Sequence, residues 1–298
     1  MRQMEKIRIL ADTSSDLTFE EAGRRGIALL SIPVFINGKQ YADGVDFTKD
    51  EFYATLERSE VLPTTSHIPP VVTSECYLKA YHDGCEAIIH VCNNSVRSGM
   101  FNTANMCRDL FFEEHPEAVG KFRIEPVDSR SYSLAYGYPV ILGAELRDKG
   151  GSVDEILALM QETINRAEIY LSAYDLRYAK NSGRLSALAA FAGGVLGIRP
   201  IISMIDGETK TADKVRGDKA VVPRLVKTAE DFMGPDMNYC VIHGYDFPDV
   251  DELEAAMRKR FGKAPLGRYQ IGGAVSINIG PKSLAVAFLG RDRRASSN

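Results

Sequence analysis

Short apolar runs alternate with helical segments through the first 160 residues of the chain. The runs have the length of buried strands, about four to eight residues, and the segments between them carry apolar residues at helical spacing. This alternation favours a mostly parallel sheet covered on both faces, because each crossover helix packs back onto the sheet. The predicted strands and their turns lie at 7–16, 29–38, 86–92 and 122–129, and the predicted helices at 47–59, 98–114 and 131–150.

The pattern changes near residue 160. Asp206-Gly207 lies between two extended runs and predicts a hairpin, so antiparallel pairing enters here. Further strands are predicted at 238–246, 269–280 and 283–290, and a helix at 249–262. We expect an α/β protein of two α/β domains: residues 1–160 with a mostly parallel open sheet and flanking helices, and residues 161–298 with a mixed sheet and helices. No linker rich in Pro, Gly or Ser separates the halves, so they should pack closely.

The composition excludes several classes of protein. The 298 residues include 36 basic and 40 acidic side chains, and the formal net charge of −4 gives no general attraction to nucleic acid. Five cysteines without a C-x-x-C pair indicate reduced thiols and not a disulfide framework or a zinc site. No run approaches the roughly 20 apolar residues of a membrane span, and the charged N-terminal segment is unlike an export signal. We expect a cytoplasmic protein without stable membrane insertion, metal or nucleic acid.

Four loops rich in hydroxyl groups lie beside the predicted strands and helices. In an open α/β sheet such loops gather at the carboxyl edge of the strands, where ligands bind. A helix N-terminus presents free N–H groups and partial positive charge, and Gly99 allows close backbone approach. Ser95, Ser98 and the neighbouring amides are therefore candidates to hold a carboxylate or phosphate, with simple helix capping as the alternative. These four stretches are ADTSSDL (11–17), PTTSHIPP (63–70), NNSVRSGMFNTA (93–104) and VDSRSYSLAYG (127–137).

Sequence signatures of catalysis are absent from the chain. It contains no G-x-S-x-G elbow, no phosphate-binding G-x-x-x-x-G-K-[ST] loop, no G-x-G-x-x-G fingerprint and no H-E-x-x-H pair. Of the five histidines, only His67 lies in a candidate site. Residues 182–200 form a predicted helix of small and apolar side chains, against which a ligand or a neighbouring chain can lie. Arg184, Arg199 and Arg216 surround this helix in sequence and are candidates to pair with an anion.

Taken in order, these stretches resemble the DegV family of bacterial fatty-acid-binding proteins. The order and spacing of the motifs carry the resemblance, which spans nearly the full chain. It implies two α/β domains with one fatty acid bound between and within them, its acyl chain in an apolar tunnel mainly of the second domain. The matching pieces are DTSSDL, TTSHIP, SGMFNTA, VDS, NSGRLS, RPIISMIDGE with VR (215–216), and IGGAVSINIGPKSLAVAFLG.

The resemblance also implies which residues bind the carboxylate of the fatty acid. Thr65 of the TTS motif and Ser98 of the SG motif correspond to the two residues that hold it. Ser66, Ser95 and Gly99 lie beside them in sequence and are further candidates.

Three parts of the sequence depart from the family pattern. Asn278 stands where the family usually has a histidine next to the carboxyl site, and an asparagine donates a hydrogen bond but carries no charge. Asn94-Ser95-Val96-Arg97 replaces a pattern of the form S-S-x-L, and Lys282 replaces a glycine. The contacts to the head group should therefore differ from those of a typical member.

These observations predict a carrier with no catalytic residue and no cofactor. It binds a long-chain fatty acid and presents the carboxylate to a separate ATP-dependent fatty acid kinase, and Arg184 and Arg216 are expected to face that partner or the transferred phosphate. Two other functions remain open from the residues alone. One is a serine-dependent lipid or ester hydrolase that uses Ser98 or Ser95 with His67 as base. The other is a small-anion or nucleotide-binding protein that uses the same helix N-termini.

Overall fold

The computed structural model describes residues 5–182, 197–235 and 237–291. The strands in this part of the chain are β1 (Ile7–Asp12), β2 (Ile27–Leu30), β3 (Pro33–Ile36), β4 (Lys39–Ala42), β5 (Thr64–Thr65), β6 (Ala87–Cys92), β7 (Arg123–Asp128), β8 (Ala167–Ala173), β9 (Ile198–Ile205), β10 (Glu208–Arg216), β11 (Tyr239–His243), β12 (Arg268–Gln270) and β13 (Ser283–Leu289). The helices are α1 (Phe19–Arg24), α2 (Lys49–Arg58), α3 (Pro70–His82), α4 (Met100–Glu114), α5 (Ser133–Asp148), α6 (Val153–Arg166), α7 (Arg177–Ser182), α8 (Val221–Phe232), α9 (Pro248–Phe261) and α10 (Gly273–Ile279).

The first sheet is parallel, with strand order β2-β1-β6-β7. This confirms the parallel sheet predicted from strand–helix alternation. The segment predicted as one strand at 29–38 is instead divided between two sheets. Its first part belongs to β2, and the rest forms β3 of a small antiparallel sheet with order β4-β3-β5. Pro33 explains the break, because proline has no N–H for a ladder and restricts the backbone of Ile32 before it.

The second sheet is mixed, with strand order β10-β9-β8-β13-β11-β12. Only β11 and β12 pair in parallel; the other neighbours are antiparallel. The predicted hairpin joins β9 to β10, and Asp206 and Gly207 both have positive φ values, 52° and 82°. Two consecutive left-handed residues match the twist of the flanking strands, which is why Asp-Gly occurs there.

The segment 269–280, predicted as a strand, is mostly helical. Only β12 is extended, and α10 begins at Gly273, the second residue of a glycine pair. The valine and isoleucines of this segment suggest a strand by local preference. Tertiary hydrogen bonds overrule that preference, because the carboxylates of Asp16 and Asp43 accept from the backbone N–H groups of Gly272 and Ala274 at the start of α10.

Helix α5 lies between the two sheets. One continuous apolar cluster contains one face of the first sheet, α5, α6 and one face of the second sheet, which we call its inner face. A second cluster joins α8 and α9 to the outer face of the second sheet, and a third joins α3 and α4 to the other face of the first sheet. The close packing of the two halves predicted from the missing linker follows from this shared core.

Tyr136 fastens α5 to the carboxyl edge of the first sheet. Its buried hydroxyl accepts a hydrogen bond from the N–H of Asp12 and donates one to the carbonyl of Val91, both at 2.8 Å. The next residue, Gly137, lies so close to the carbonyl oxygen of Ser15 that a side chain there would collide with backbone. The start of α5 is therefore held against the ends of β1 and β6.

Candidate functional site

A pocket opens where α5 begins, between the inner face of the second sheet and the carboxyl-edge loops of the first. It holds about 920 Å³ of empty space counted out to its open mouth. Its apolar walls are Ile32, Met100, Ile169, Leu171, Met204, Ile242, Ile271, Ala274, Val275, Ile279, Leu284 and Ala285. We call it the rim pocket, because polar side chains surround it: Ser14, Thr65, Ser66, His67, Asn93, Arg97, Ser98, Tyr132, Ser133, Asn278 and Ser283.

All four hydroxyl-rich loops contribute to this rim. Ser14 follows β1, Ser98 follows β6 and Ser133 follows β7, so three of them lie where adjacent parallel strands end. Thr65 arrives from the small sheet, where it pairs with Val34 of β3. The gathering of the loops at one edge, expected from the open-sheet rule, is what the structure has.

The structure brings four of the predicted site residues together on the rim pocket: Thr65, Ser66, Ser98 and Asn278. Ser98 lies just before α4, and its hydroxyl accepts a 3.4 Å hydrogen bond from the N–H of Met100. The N-cap residue of α4 is Gly99, which has no side chain of its own to cap the helix.

Two further candidates lie beside the rim pocket and not on its wall. Ser95 donates its hydroxyl to the carboxylate of Asp128, which also accepts from the Ser95 N–H at 3.1 Å. The N–H of Gly99 donates to the ring of His67 at 3.4 Å, and a Cβ at Gly99 would lie 2.8 Å from that ring. These residues shape the loop that carries Ser98.

The structure separates Arg216 from the predicted site. Arg216 ends β10 as an exposed residue opposite Ile198 and does not line the rim pocket. Arg184 and most of the predicted apolar helix at 182–200 lie outside the described residues. Arg199, also named from the sequence, pairs with Asp218 at 2.8 Å.

Sequence reasoning missed Arg97 as a site residue. Its exposed side chain lines the rim pocket immediately before Ser98. Among the described lining residues it is the one with a permanent charge, and within the described chain no ion pair holds it. A signal was present, since an arginine here replaces the apolar residue of the family pattern. A lone arginine in a polar loop otherwise indicates only a solvated surface.

Asn278 cannot replace the charge of the family histidine. Its side-chain N–H group donates to the carbonyls of Ala274 and Val275 at 3.2 and 3.3 Å, one turn back in α10. Because these donors already serve the helix, Asn278 has little to offer an anion.

A polar chain behind the rim orients Asn93. The Ser14 hydroxyl donates to the carboxylate of Asp12 and accepts from the Asn93 amide at 3.1 Å. The side-chain oxygen Oδ1 of Asn93 is then buried without a hydrogen bond from any described residue, and so is the hydroxyl of Ser283. Both residues line the rim pocket, and buried polar atoms normally have partners. They mark two points where a ligand or a water molecule can bond.

Three buried carboxylates lie behind the rim. Asp16 accepts from the N–H of Gly272 at 2.8 Å, and Asp43 from that of Ala274 at 3.2 Å. Burial is the largest cause of their pKa shifts: it raises the pKa of Asp12 and Asp16 from 3.8 to about 6, and raises the pKa of Asp43 as well. Removal from water disfavours the charged form, and the hydrogen bonds only partly offset this.

The geometry does not favour a serine hydrolase. Nucleophilic catalysis needs a base within hydrogen-bond reach of the hydroxyl. In the part of the chain that the structure describes, no hydrogen bond joins His67 to Ser98 or Ser95, and Ser95 is bonded to an aspartate. The described residues also contain no cluster of His, Cys, Asp and Glu suited to a metal ion. None of the described helices combines the length and apolarity needed to cross a bilayer.

The protein is an α/β protein with two large sheets and an apolar pocket beneath a rim of hydroxyl groups. A family model described as "Uncharacterised protein, DegV family" matches residues 6–291. A DegV domain-containing protein from Caldanaerobacter subterraneus subsp. tengcongensis is 33% identical over 292 residues, which cover 96% of this chain and 99% of the relative. The chain therefore belongs to the DegV family, as the order of its motifs predicts.

Solved structures show the same fold. A fatty acid binding DegV family protein from Streptococcus agalactiae matches with a TM-score of 0.83 at 25% identity, over 96% of this chain and 99% of that one. A stearic acid-binding protein from Eubacterium ventriosum matches with a TM-score of 0.84 at 21% identity, over 98% and 100% of the two chains. The mixed second sheet and the parallel first sheet are thus those of the family.

The buried carboxylates predict a pH-dependent stability. The folded-state pKa of Asp16 lies above 3.8, so the stability that its proton contributes is complete below about pH 4 and is lost as the pH rises through about 6. Between pH 4.5 and 7.5 the free energy of unfolding should fall in the wild type and fall less in Asp16→Asn. The difference between the two decreases should be about 2 kcal/mol. Lys49, whose charge favours the Asp16 carboxylate, keeps the effect below the full burial cost.

Urea unfolding at the two pH values measures this difference. Glu113→Gln, which removes an exposed carboxylate from α4, is the control and should keep the wild-type pH dependence. Parallel pH profiles for Asp16→Asn and the wild type would contradict the assignment.

Proposed function

We propose that this protein is a lipid carrier that binds a long-chain fatty acid in the rim pocket and presents its carboxylate to a separate fatty acid kinase. The observation that carries the proposal is the form of the pocket, which joins hydroxyl donors at its mouth to apolar walls on the inner sheet face. A small anion or nucleotide would leave those walls without contact. Family neighbours described as fatty acid binding and stearic acid-binding support the same ligand class.

The acyl chain should supply most of the affinity. Each methylene group withdrawn from water contributes about 0.8 kcal/mol, offset by the cost of ordering the chain and of association. The polar rim then sets the direction of the ligand, with the hydroxyls of Thr65 and Ser98 donating to the carboxylate. The N-terminus of α4, a helix of 15 residues, adds favourable partial charge beside Ser98.

Arg97 is the proposed source of positive charge for the carboxylate. The family histidine is absent, and the donors of Asn278 serve its own helix. Arg97 lines the same mouth and, within the described chain, pairs with no acidic residue. A long flexible guanidinium at the solvent edge can meet an anion there without the cost of burying its charge.

The proposed transfer to a kinase requires an accessible head group. Ser66, His67 and Arg97 are exposed, so the polar end of the pocket opens to solvent while the apolar walls are buried. A second protein can therefore approach the carboxylate without displacing the acyl chain. The partner itself is inferred from the family resemblance.

The carrier proposal predicts bound lipid in the purified protein. Organic extraction and mass spectrometry of protein from a bacterial host should find about one equivalent of fatty acid. Protein stripped of lipid should bind oleic or palmitic acid more tightly than it binds the methyl esters of these acids. With ATP and a fatty acid kinase, the loaded protein should yield acyl phosphate, trapped by hydroxylamine as a hydroxamate. Protein that is empty and refuses added fatty acids would sink the proposal; lipid binding without any hydroxamate would remove only the kinase step.

Removal of a rim hydroxyl should weaken carboxylate binding. A hydrogen bond to a charged group is worth about 1.5–3 kcal/mol, so Thr65→Val should raise the Kd for palmitic acid about tenfold or more. Thr64→Val, the exposed neighbour in β5 that does not line the pocket, is the matched control. Titration with a fluorescent fatty acid measures both, and equal affinities for the two variants would argue against Thr65 as a head-group donor.

Arg97→Gln should make binding less dependent on salt. An exposed ion pair contributes about 0.2–1 kcal/mol, so the Kd should rise by up to about fivefold at low ionic strength and differ little from wild type at about 1 M salt, where charges are screened. Arg108→Gln is the control, because Arg108 lies on α4 and pairs with Asp109. An unchanged salt dependence in Arg97→Gln would show that the carboxylate does not meet this arginine.

A further inference from the structure

A second cavity lies on the inner face of the second sheet, next to the rim pocket. We call it the distal cavity. It holds about 670 Å³ of empty space counted out to its mouth, which opens beside the exposed residues Asn238 and Leu266. None of its described lining residues is charged: Leu134, Ala135, Tyr138, Ala167, Met237, Asn238, Cys240, Leu266, Ala287, Phe288 and Leu289.

The strand register shows that the two cavities adjoin. Leu171, Ala285 and Ile242 form a row across β8, β13 and β11, and all three line the rim pocket. In the next row on this face, Ile169 still lines the rim pocket, but its register partner Ala287 lines the distal cavity. Paired residues in an antiparallel ladder are about 4.5–5.5 Å apart. The boundary therefore falls within a single residue pair.

Helix α5 borders both cavities, and two consecutive residues at its start line different ones. Tyr132 and Ser133 line the rim pocket, and the next two residues, Leu134 and Ala135, line the distal cavity. The buried aliphatic side chains of Leu134 and Ile169 thus stand on either side of the boundary. Such side chains move by rotamer exchange, with no hydrogen bond to break.

We propose that the rim pocket and the distal cavity form one acyl channel, in which the methyl end of a long chain passes between Ile169 and Leu134. The inference rests on the proposed fatty acid binding and adds a basis for chain-length selection. Two residues along a strand span about 6.7 Å, a distance that a few methylene groups cover. Short chains end in the rim pocket, whereas long chains enter the distal cavity and meet Ala287 and Cys240.

The uncharged lining and the shared boundary favour the end of the same chain as the occupant. A separate polar ligand would find no charged partner among the described residues of the distal cavity. A separate apolar molecule would give a second equivalent of bound lipid, which the binding stoichiometry detects and which would contradict the proposal.

Affinities for a series of saturated acids, from decanoic to stearic, test the channel. In the stripped wild-type protein each added methylene should lower the Kd by up to about fourfold. Ala287→Leu places three more carbon atoms just beyond the boundary and narrows the distal cavity there, so it should leave decanoic acid within about twofold of wild type and weaken stearic acid at least about tenfold. Ala285→Leu is the matched control, because it lies two residues away on the same strand face but in the rim pocket, and it should weaken every acid.

A measurement on the wild type makes the test independent of any folding defect in the variants. Stearic acid with a photoreactive diazirine at its methyl end should label peptides containing Met237 or Leu266, and the decanoic analogue should label rim-pocket peptides containing Met204. Labels from both acids in the rim pocket alone, or equal weakening of all acids by Ala287→Leu, would overturn the channel while leaving fatty acid binding intact. A wild type that binds none of the acids would overturn the proposed function itself.

Discussion

The structure depends on one helix being buried on two sides. Helix α5 packs against both sheets, and ten of its residues are buried, so the core of the two halves is continuous through it. Tyr136 and the close contact of Gly137 with Ser15 hold its first turns against the ends of β1 and β6. Beyond that point the helix start, the inner sheet face and the strand-end loops enclose space that none of the described side chains fills. The rim pocket and the distal cavity both lie along this helix.

The site places buried carboxylates close to the proposed binding position of an anionic head group. Asp12, Asp16 and Asp43 lie behind the rim. Their carboxylates accept hydrogen bonds from Ser14 and from the backbone N–H groups at the start of α10, and so position both. The negative charge of these carboxylates disfavours an anionic ligand nearby. Burial also disfavours their charged form, and it raises the pKa of all three. The proposed carboxylate contacts lie on the solvent side, among hydroxyls, a helix N-terminus and Arg97. The buried carboxylates therefore stabilise the loops of the site, whereas the proposed carboxylate of the ligand binds at the exposed edge.

Much of the fold was predictable because its signals are local. Apolar runs of strand length and the Asp206-Gly207 turn each specify structure through neighbouring residues. The two errors arose where distant contacts decide. Pro33 and the small sheet divide one predicted strand, and the carboxylates of Asp16 and Asp43 start a helix in a segment with strand preference. Motif order singled out Thr65 and Ser98, which the structure places on one pocket, whereas Arg97 resembled an ordinary surface charge.

The sequence by itself determined the α/β class, the parallel and mixed sheets, the family and the loops that carry hydroxyls, because these follow from periodicity and from motifs read along the chain. Only the tertiary structure decided which of those hydroxyls share a wall, that Ser95 is bonded to Asp128 instead, and that a second cavity adjoins the first. The physical reason is that a cavity belongs to no segment. It is the space left where the described side chains of α5 and of the two sheets do not pack completely against one another. Its shape therefore depends on residues more than 100 positions apart, such as Leu134 and Ala287.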